Sequence, residues 1–199
     1  MRITAIKQQQ KRQDRYSVYV DGKFAFGLSE GALLEQGLAS GQEITEVQLA
    51  ALKKTAGLDK AYGNALRYVA MRPRSEGELA DYFRRKGIDE AGGAHIAGRL
   101  RNFGLVDDLA FARAWVANRR LLKTTSKRRL GLELKQKRVA GDIITQVLTE
   151  DETDERAALQ TLIAKKRVRY PDDQKLMQYL ARQGFRFDDI KAALQVEDE

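Results

Sequence analysis

Ser75-Glu-Gly-Glu-Leu-Ala-Asp-Tyr-Phe-Arg-Arg-Lys-Gly-Ile88 decides the fold, because the chain writes the same pattern twice more, at residues 126–139 and 172–185. Each copy opens on a residue able to cap a helix N-terminus: Ser75, Ser126 or Asp172. Apolar residues follow four positions on (Leu79, Leu130, Leu176) and eight positions on (Phe83, Leu134, Leu180), a spacing that lines one helical face. Twelve positions on stands Gly87, Arg138 or Gly184, and an apolar Ile88, Val139 or Phe185 comes next. A repeat of roughly 45–50 residues marks a solenoid, whose units stack and present one long face to an extended partner.

Working outward, each copy is the middle of three helices. The first unit has helices over residues 61–71, 75–86 and 91–103, and the second over 109–120, 126–137 and 142–148. The third has them over 155–167, 172–183 and 188–194. Gly92-Gly93 falls inside the closing helix of the first unit, at about 1 kcal/mol per glycine, so that helix is expected to begin late or fray. Pro73 and Pro171 are the only prolines, and both lie beside a repeated helix start, where proline costs least.

The first thirty residues have a different period. Tyr16, Val18 and Val20 alternate, Asp21-Gly22 follows, and Lys23-Phe-Ala-Phe-Gly27 alternates again. An Asp-Gly pair between alternating runs predicts a β-hairpin with a type I′ turn. Residues 3–9 can add a third strand, which an isolated hairpin needs. Ser29 can cap a short helix through Leu33-Leu34 to Gly37, and Thr45 a second one running toward Ala56-Gly57. The expected architecture is mostly α: three tandem three-helix repeats in an elongated solenoid, behind an N-terminal β-hairpin or small sheet with short helices. The corresponding divisions are residues 1–58, 59–108, 109–154 and 155–199.

Lysine and arginine number 36 against 28 acidic residues, so the chain of 199 residues carries a formal charge of +8. Such an excess favours an acidic partner, most often nucleic acid, and says nothing of fold. With no cysteine there are no disulfides, thiolate metal sites or cysteine catalysis. Neither a signal-peptide core nor an apolar run of ~18 residues is present, so a soluble, cytoplasmic protein without membrane contact is expected.

Catalytic readings weaken on inspection. Gly22-Lys23 lacks both the upstream glycine and the following Ser or Thr of a phosphate loop. His95 is the only histidine, which excludes a histidine metal cluster, and a surface or partly packed imidazole is its plain reading. Asp107-Asp108, Asp172-Asp173 and Asp188-Asp189 invite comparison with two-metal nucleases, yet each pair precedes a proposed helix, where aspartate caps free N–H groups. Phe111 and Trp115, at i and i+4, fit core packing better than base stacking. No catalytic, cofactor-binding or metal-ligating residue is assigned.

Between residues 119 and 138 nine basic residues face one acid, Glu133. The candidate stripe comprises Arg119, Arg120, Lys123, Lys127, Arg128, Arg129 and Lys135 in the central unit. Arg72, Arg74, Arg84, Arg85 and Lys86 precede it, and Arg167 and Arg182 follow. Stacked in register, such charges neutralise phosphates without reading sequence; the plain alternative is solvation of helix faces.

The run Ala65-Leu-Arg-Tyr-Val-Ala-Met-Arg-Pro-Arg-Ser-Glu-Gly-Glu-Leu79 and its continuations, Phe83-Arg-Arg-Lys-Gly-Ile88 and Gly104-Leu-Val-Asp-Asp-Leu-Ala-Phe-Ala-Arg-Ala-Trp115, resemble the RecX family of bacterial recombination regulators. Leu180-Ala-Arg-Gln-Gly-Phe185 fits too, and the resemblance covers roughly residues 61–196. It implies tandem three-helix repeats that bind the RecA recombinase filament and restrain its ATP hydrolysis and strand exchange, with no chemistry of their own. The implied partners are the RecA filament and single- or double-stranded DNA, directly or within the filament; a monomer is expected. The rival reading is a stand-alone, sequence-nonspecific DNA-binding protein that uses a basic helical face.

Overall fold

The structure is a computed structural model and describes residues 1–195. Three antiparallel strands open the chain: β1 (Ile3–Gln9), β2 (Arg12–Val20) and β3 (Lys23–Ser29), in the order β1-β2-β3. Asp21 (φ 48°) and Gly22 (φ 79°) supply the two positive φ angles of a type I′ turn, so the hairpin forms where the Asp-Gly pair predicts it. Register places Val18 opposite Phe26 and Ile6, and Ile3 opposite Val20. The inward members of that alternation, with Leu28, Ile44, Leu52 and Ala56, make one buried cluster.

Helix α1 (Glu30–Glu35) is capped by Ser29, and α2 (Glu46–Ala70) by Thr45 in a full capping box with Gln48. Here the expectation of two helices, one toward Gly57 and one from residue 61, is corrected: α2 runs unbroken through both, and residues 58 and 59 lie inside it. Asp59, which could have capped a new helix, is committed elsewhere. Its carboxylate accepts from Ser29 Oγ at 2.5 Å and Ser29 N at 2.9 Å, and pairs with Arg15 Nη1 at 2.9 Å. Arg15 also donates to the Gly27 carbonyl at 2.9 Å. This little-exposed pair fastens the sheet to α2, and a buried cation left without its partner is costly.

Beyond α2 come α3 (Glu76–Arg85), α4 (Glu90–Asn102), α5 (Asp108–Leu122), α6 (Lys127–Gln136) and α7 (Gly141–Glu150). The last described helices are α8 (Glu155–Arg167), α9 (Asp173–Arg182) and α10 (Phe187–Gln195). Helix α4 does not fray as its glycines suggested. Asp89 caps it through Gly92 N at 2.7 Å, and Gly92 and Gly93 are buried. A Cβ on Gly92 would lie 2.9 Å from Leu58 Cδ2, and one on Gly93 would lie 3.1 Å from Phe83 Cδ2. The glycines admit neighbours; they do not end a helix.

The described chain forms two compact units, one of Met1–Arg72 with Phe83–Leu105, the other of Pro73–Tyr82 with Val106 onward. Inside the second, α5, α6 and α7 enclose Phe111, Ala112, Val116, Leu130, Leu134, Val139, Ile144 and Val147. Helices α8, α9 and α10 enclose a separate core around Leu159, Ile163, Leu176, Leu180 and Ile190. Each of these two three-helix sets thus has its own apolar centre, as repeat proteins require.

Gly77 fits against Arg138 so closely that a Cβ on it would lie 2.2 Å from Arg138 Cβ. Arg138 itself is left-handed (φ 57°), a conformation that glycine adopts at lower cost. Gly77→Ala is expected to destabilise by about 1–3 kcal/mol through overpacking. Adding Arg138→Gly should restore part of that loss, measured as a non-additive double-mutant cycle by urea unfolding. Additive effects would mean that the two residues do not press on one another.

Candidate functional site: repeat joints and basic surface

Two joints of the same construction run through the second unit. At the first, Ser75 Oγ accepts from Glu78 N at 3.1 Å, capping α3, and donates to the Lys137 carbonyl at the end of α6 at 2.5 Å. At the second, Ser126 Oγ accepts from Arg129 N at 3.1 Å, capping α6, and donates to the Gln183 carbonyl at the end of α9 at 3.2 Å. A helix N-terminus and the C-terminus of the corresponding helix in the next repeat are thereby joined by one side chain. Both serines are buried.

A second bond repeats in the same way. The Glu76 N–H donates to Asp108 Oδ1 at 2.7 Å, and the Lys127 N–H to Glu155 Oε1 at 2.5 Å. Asp107 meanwhile caps its own helix through Ala110 N, and Asp154 caps its own through Ala157 N. Capping therefore accounts for Asp107-Asp108, with an unforeseen division of labour: the first acid caps its own helix and the second caps the preceding repeat. Asp172 caps α9 through Lys175 N at 2.8 Å, and Asp173 pairs with Arg167. Among the described residues no group of three His, Cys, Asp or Glu could hold a metal.

Much of the basic stripe is committed to internal bonds. Arg120 pairs with Asp151 at 2.5 Å and also donates to the Thr125 carbonyl. Lys127 Nζ donates to the Asp151 carbonyl at 2.5 Å, and Arg129 to the Arg182 carbonyl at 2.5 Å. Arg119 pairs with Glu133 at 2.7 Å and lies 4.6 Å from the Trp115 ring. Burial raises the Asp151 carboxyl, but the Arg120 hydrogen bond and charge, with the Thr153 hydroxyl, outweigh it and hold the group below the usual aspartate range. Trp115 is half-buried against Phe111 and donates through Nε1 to Glu133 at 3.0 Å, so its face is occupied by packing and by Arg119.

Lys123, Arg128, Lys135 and the Arg182 guanidinium are exposed and have no ion-pair partner among the described residues. Arg72, Arg84, Arg85 and Lys86 are exposed on the first unit, while half-buried Arg74 and Arg167 belong to the second. Sequence reasoning missed that Lys137 and Arg138 are joint residues, paired with Glu78 at 2.8 Å and Asp81 at 3.0 Å. Their acidic partners stand in the preceding copy, one of them at the fourth position of the Ser75-x-x-Glu78 capping pattern. Among the described residues no helix is long and apolar enough to cross a membrane.

The fold is that of a tandem three-helix-repeat protein carrying an N-terminal antiparallel sheet. Residues 1–45 match the regulatory protein RecX N-terminal domain, 61–92 the RecX first three-helix domain and 107–148 the RecX second three-helix domain. The chain is 33% identical to a regulatory protein RecX of Leuconostoc citreum, over 90% of this chain and 70% of that one. It is 31% identical to one of Listeria monocytogenes, over 97% and 74%. A crystal structure of regulatory protein RecX superposes with a TM-score of 0.80 at 27% identity, covering 100% of this chain and 99% of that chain. RecX from Lactobacillus salivarius gives 0.62 at 26% identity, over 71% and 96%. The chain belongs to the RecX family, whose members are named as regulatory proteins and not as enzymes.

Removing either joint hydroxyl removes an N-cap, worth about 1 kcal/mol. Ser75→Ala is expected to cost more than Ser126→Ala, because Gln183 O also accepts from Thr125 Oγ1 and Ser126 N, both at 3.3 Å. Urea midpoints of the two variants check the order.

Asp108 gives a pH test. Desolvation by burial raises its carboxyl above the ordinary 3.8, with Glu76 and Asp107 adding to the rise and the Glu76 N–H bond opposing it. The folded state then holds this proton more tightly than the unfolded state, so stability from this group falls as pH climbs through and above the ordinary value. Asp108→Asn keeps an acceptor for Glu76 N without the charge. Relative to wild type it should gain stability between pH 3.5 and pH 7, read from urea midpoints at the two pH values; a pH-independent difference overturns the assignment.

Proposed function

We propose that the protein regulates the RecA recombinase by binding along the RecA–DNA filament and restraining its ATPase and strand exchange. Membership of the RecX family carries the reading. The joints support it: α3, α6 and α9 are linked end to end through their caps, which orders successive repeats for contact with successive protomers of an extended partner. The protein acts in the cytoplasm as a monomer, by binding, and DNA is contacted directly or within the filament. The deciding experiment is RecA ATPase on single-stranded DNA with the protein titrated in. Inhibition near stoichiometric amounts is expected; no inhibition together with no detectable filament binding overturns the proposal.

Within the stripe, the charges free for a partner are Lys123, Arg128 and Lys135. Reversal at Arg119, Arg120, Lys127 or Arg129 would report on joints and helix ends instead. Lys123→Glu/Lys135→Glu should retain wild-type unfolding yet bind the DNA-loaded filament more weakly. Its salt dependence should flatten by up to about 0.9 in log–log slope for each phosphate no longer neutralised. Naked DNA bound as tightly as the filament would favour the stand-alone DNA-binding reading.

A further inference from the structure

The second joint opens onto a cleft of about 490 Å³ inside the second unit. Three arginines rim it: Arg128 at the start of α6, Arg156 at the start of α8, and Arg186 immediately before α10. All three are exposed, and none has an ion-pair partner among the described residues. Leu159, Phe185, Ala192 and Ala193 line the cleft with apolar surface. Glu155 and Asp189 also border it, and Glu155 is already engaged by Lys127 N. Each arginine stands in the first turn of its helix or immediately before it, where the helix's partial positive charge adds to its own.

The repeat carries its own control. Glu155 and Asp108 cap equivalent N–H groups, and Ser126 and Ser75 bridge equivalent joints, so every position of one joint has a counterpart in the other. The counterparts of Arg128, Arg156 and Arg186 in the first joint are Gly77, Leu109 and Ala140. A joint of the same construction thus forms without a single one of these arginines. Where the second joint has Gly184, the first has Arg138, whose side chain goes to Asp81. The second joint keeps an opening and surrounds it with cations that do not serve the joint.

We infer that this cleft is a docking site for a short acidic segment of a protein partner, in which an apolar side chain enters beside Ala192 and flanking carboxylates meet Arg128, Arg156 and Arg186. Arginine forks suit carboxylates as well as phosphates. The exposed Ala192 and the rim carboxylate of Asp189 decide between them: a nucleic-acid backbone offers neither an apolar group for the first nor an N–H donor for the second. A peptide covers the floor with a side chain and can use its own N–H groups toward Asp189. The inference deepens the proposed function by assigning this joint to the protein component of the filament.

The test uses the full chain and a fluorescein-labelled peptide, Glu-Asp-Leu-Phe-Glu-Asp, followed by anisotropy. Saturable binding is expected, weakened at least tenfold by Arg156→Glu/Arg186→Glu and unchanged by Ala140→Glu, which places an acid at the first-joint counterpart. Thermal unfolding of the double variant should match wild type. A short oligo-dT strand should not displace the peptide. No saturation, equal binding by the double variant, or displacement by oligo-dT overturns the inference. Pelleting with RecA filaments separates it from the broader function. Wild type that pelleted while the double variant pelleted equally would remove the cleft and leave RecA binding standing. Peptide binding that depends on these arginines, with no pelleting by wild type, would remove RecA binding and leave the cleft standing.

Discussion

One hydroxyl at each joint satisfies two helix ends at once. Every helix leaves N–H groups open at its start and carbonyls open at its end, and burying either without a partner costs free energy. Ser75 and Ser126 accept from their own helices and donate to the last carbonyls of the next repeat's middle helix. The positive end of one macrodipole then meets the negative end of the next, an arrangement that favours the stack beyond the bonds themselves. Asp108 and Glu155 complete it by taking the first N–H of the preceding middle helix. Remaining features of the second unit follow from the close approach this requires. A side chain at position 77 or 184 would collide with the neighbouring repeat, so glycine stands at both.

That economy explains why charge is a poor guide to function here. Counting cations between residues 119 and 138 marks the central repeat as the contact surface, yet Arg119, Arg120, Lys127, Arg129, Lys137 and Arg138 all have internal partners. Burial and fixed geometry make several of them structural, and the exposed pairs among them contribute little to stability. Glu150 shows how far geometry alone can shift a group: the Arg113 fork and Gln146 hold its carboxyl at about 2 although it stands in solvent. What remains for a partner is a smaller set, of which Arg128 belongs both to the expected stripe and to the cleft at the second joint.

The architecture was legible because periodicity and punctuation carry it: Asp21-Gly22 turned the hairpin, Ser29, Thr45 and Asp172 capped their helices, and the apolar residues of each repeated copy became its core. Two local readings failed for one reason, that a neighbour outside the reading window decides. Gly57 did not end a helix before residue 61: Asp59 lies inside α2, with its carboxylate engaged by Arg15 and Ser29 instead of capping a new start. Gly92 and Gly93 looked like helix breakers until Leu58 and Phe83 were seen beside them. The joints were half legible. Serine at the first position and acid after the linker were read as caps, but nothing in a single copy says that the acid caps another repeat's helix.

The two joints use the same bonds and solve crowding from opposite sides. In the first, the incoming helix gives way at Gly77, so Arg138 keeps its side chain despite a left-handed backbone and reaches Asp81. In the second, the receiving turn gives way at Gly184, and the incoming helix keeps Arg128 and Arg129. Arg129 then closes over the Arg182 carbonyl, whereas Arg128 projects into space that no counterpart of Arg138 fills. A swap of glycine between the two sides of a joint therefore changes what its groove presents without changing the bonds that hold it. Repeats can stay stacked on the same bonds while the surface beside one joint differs from that beside its neighbour, as at Gly77 and Gly184.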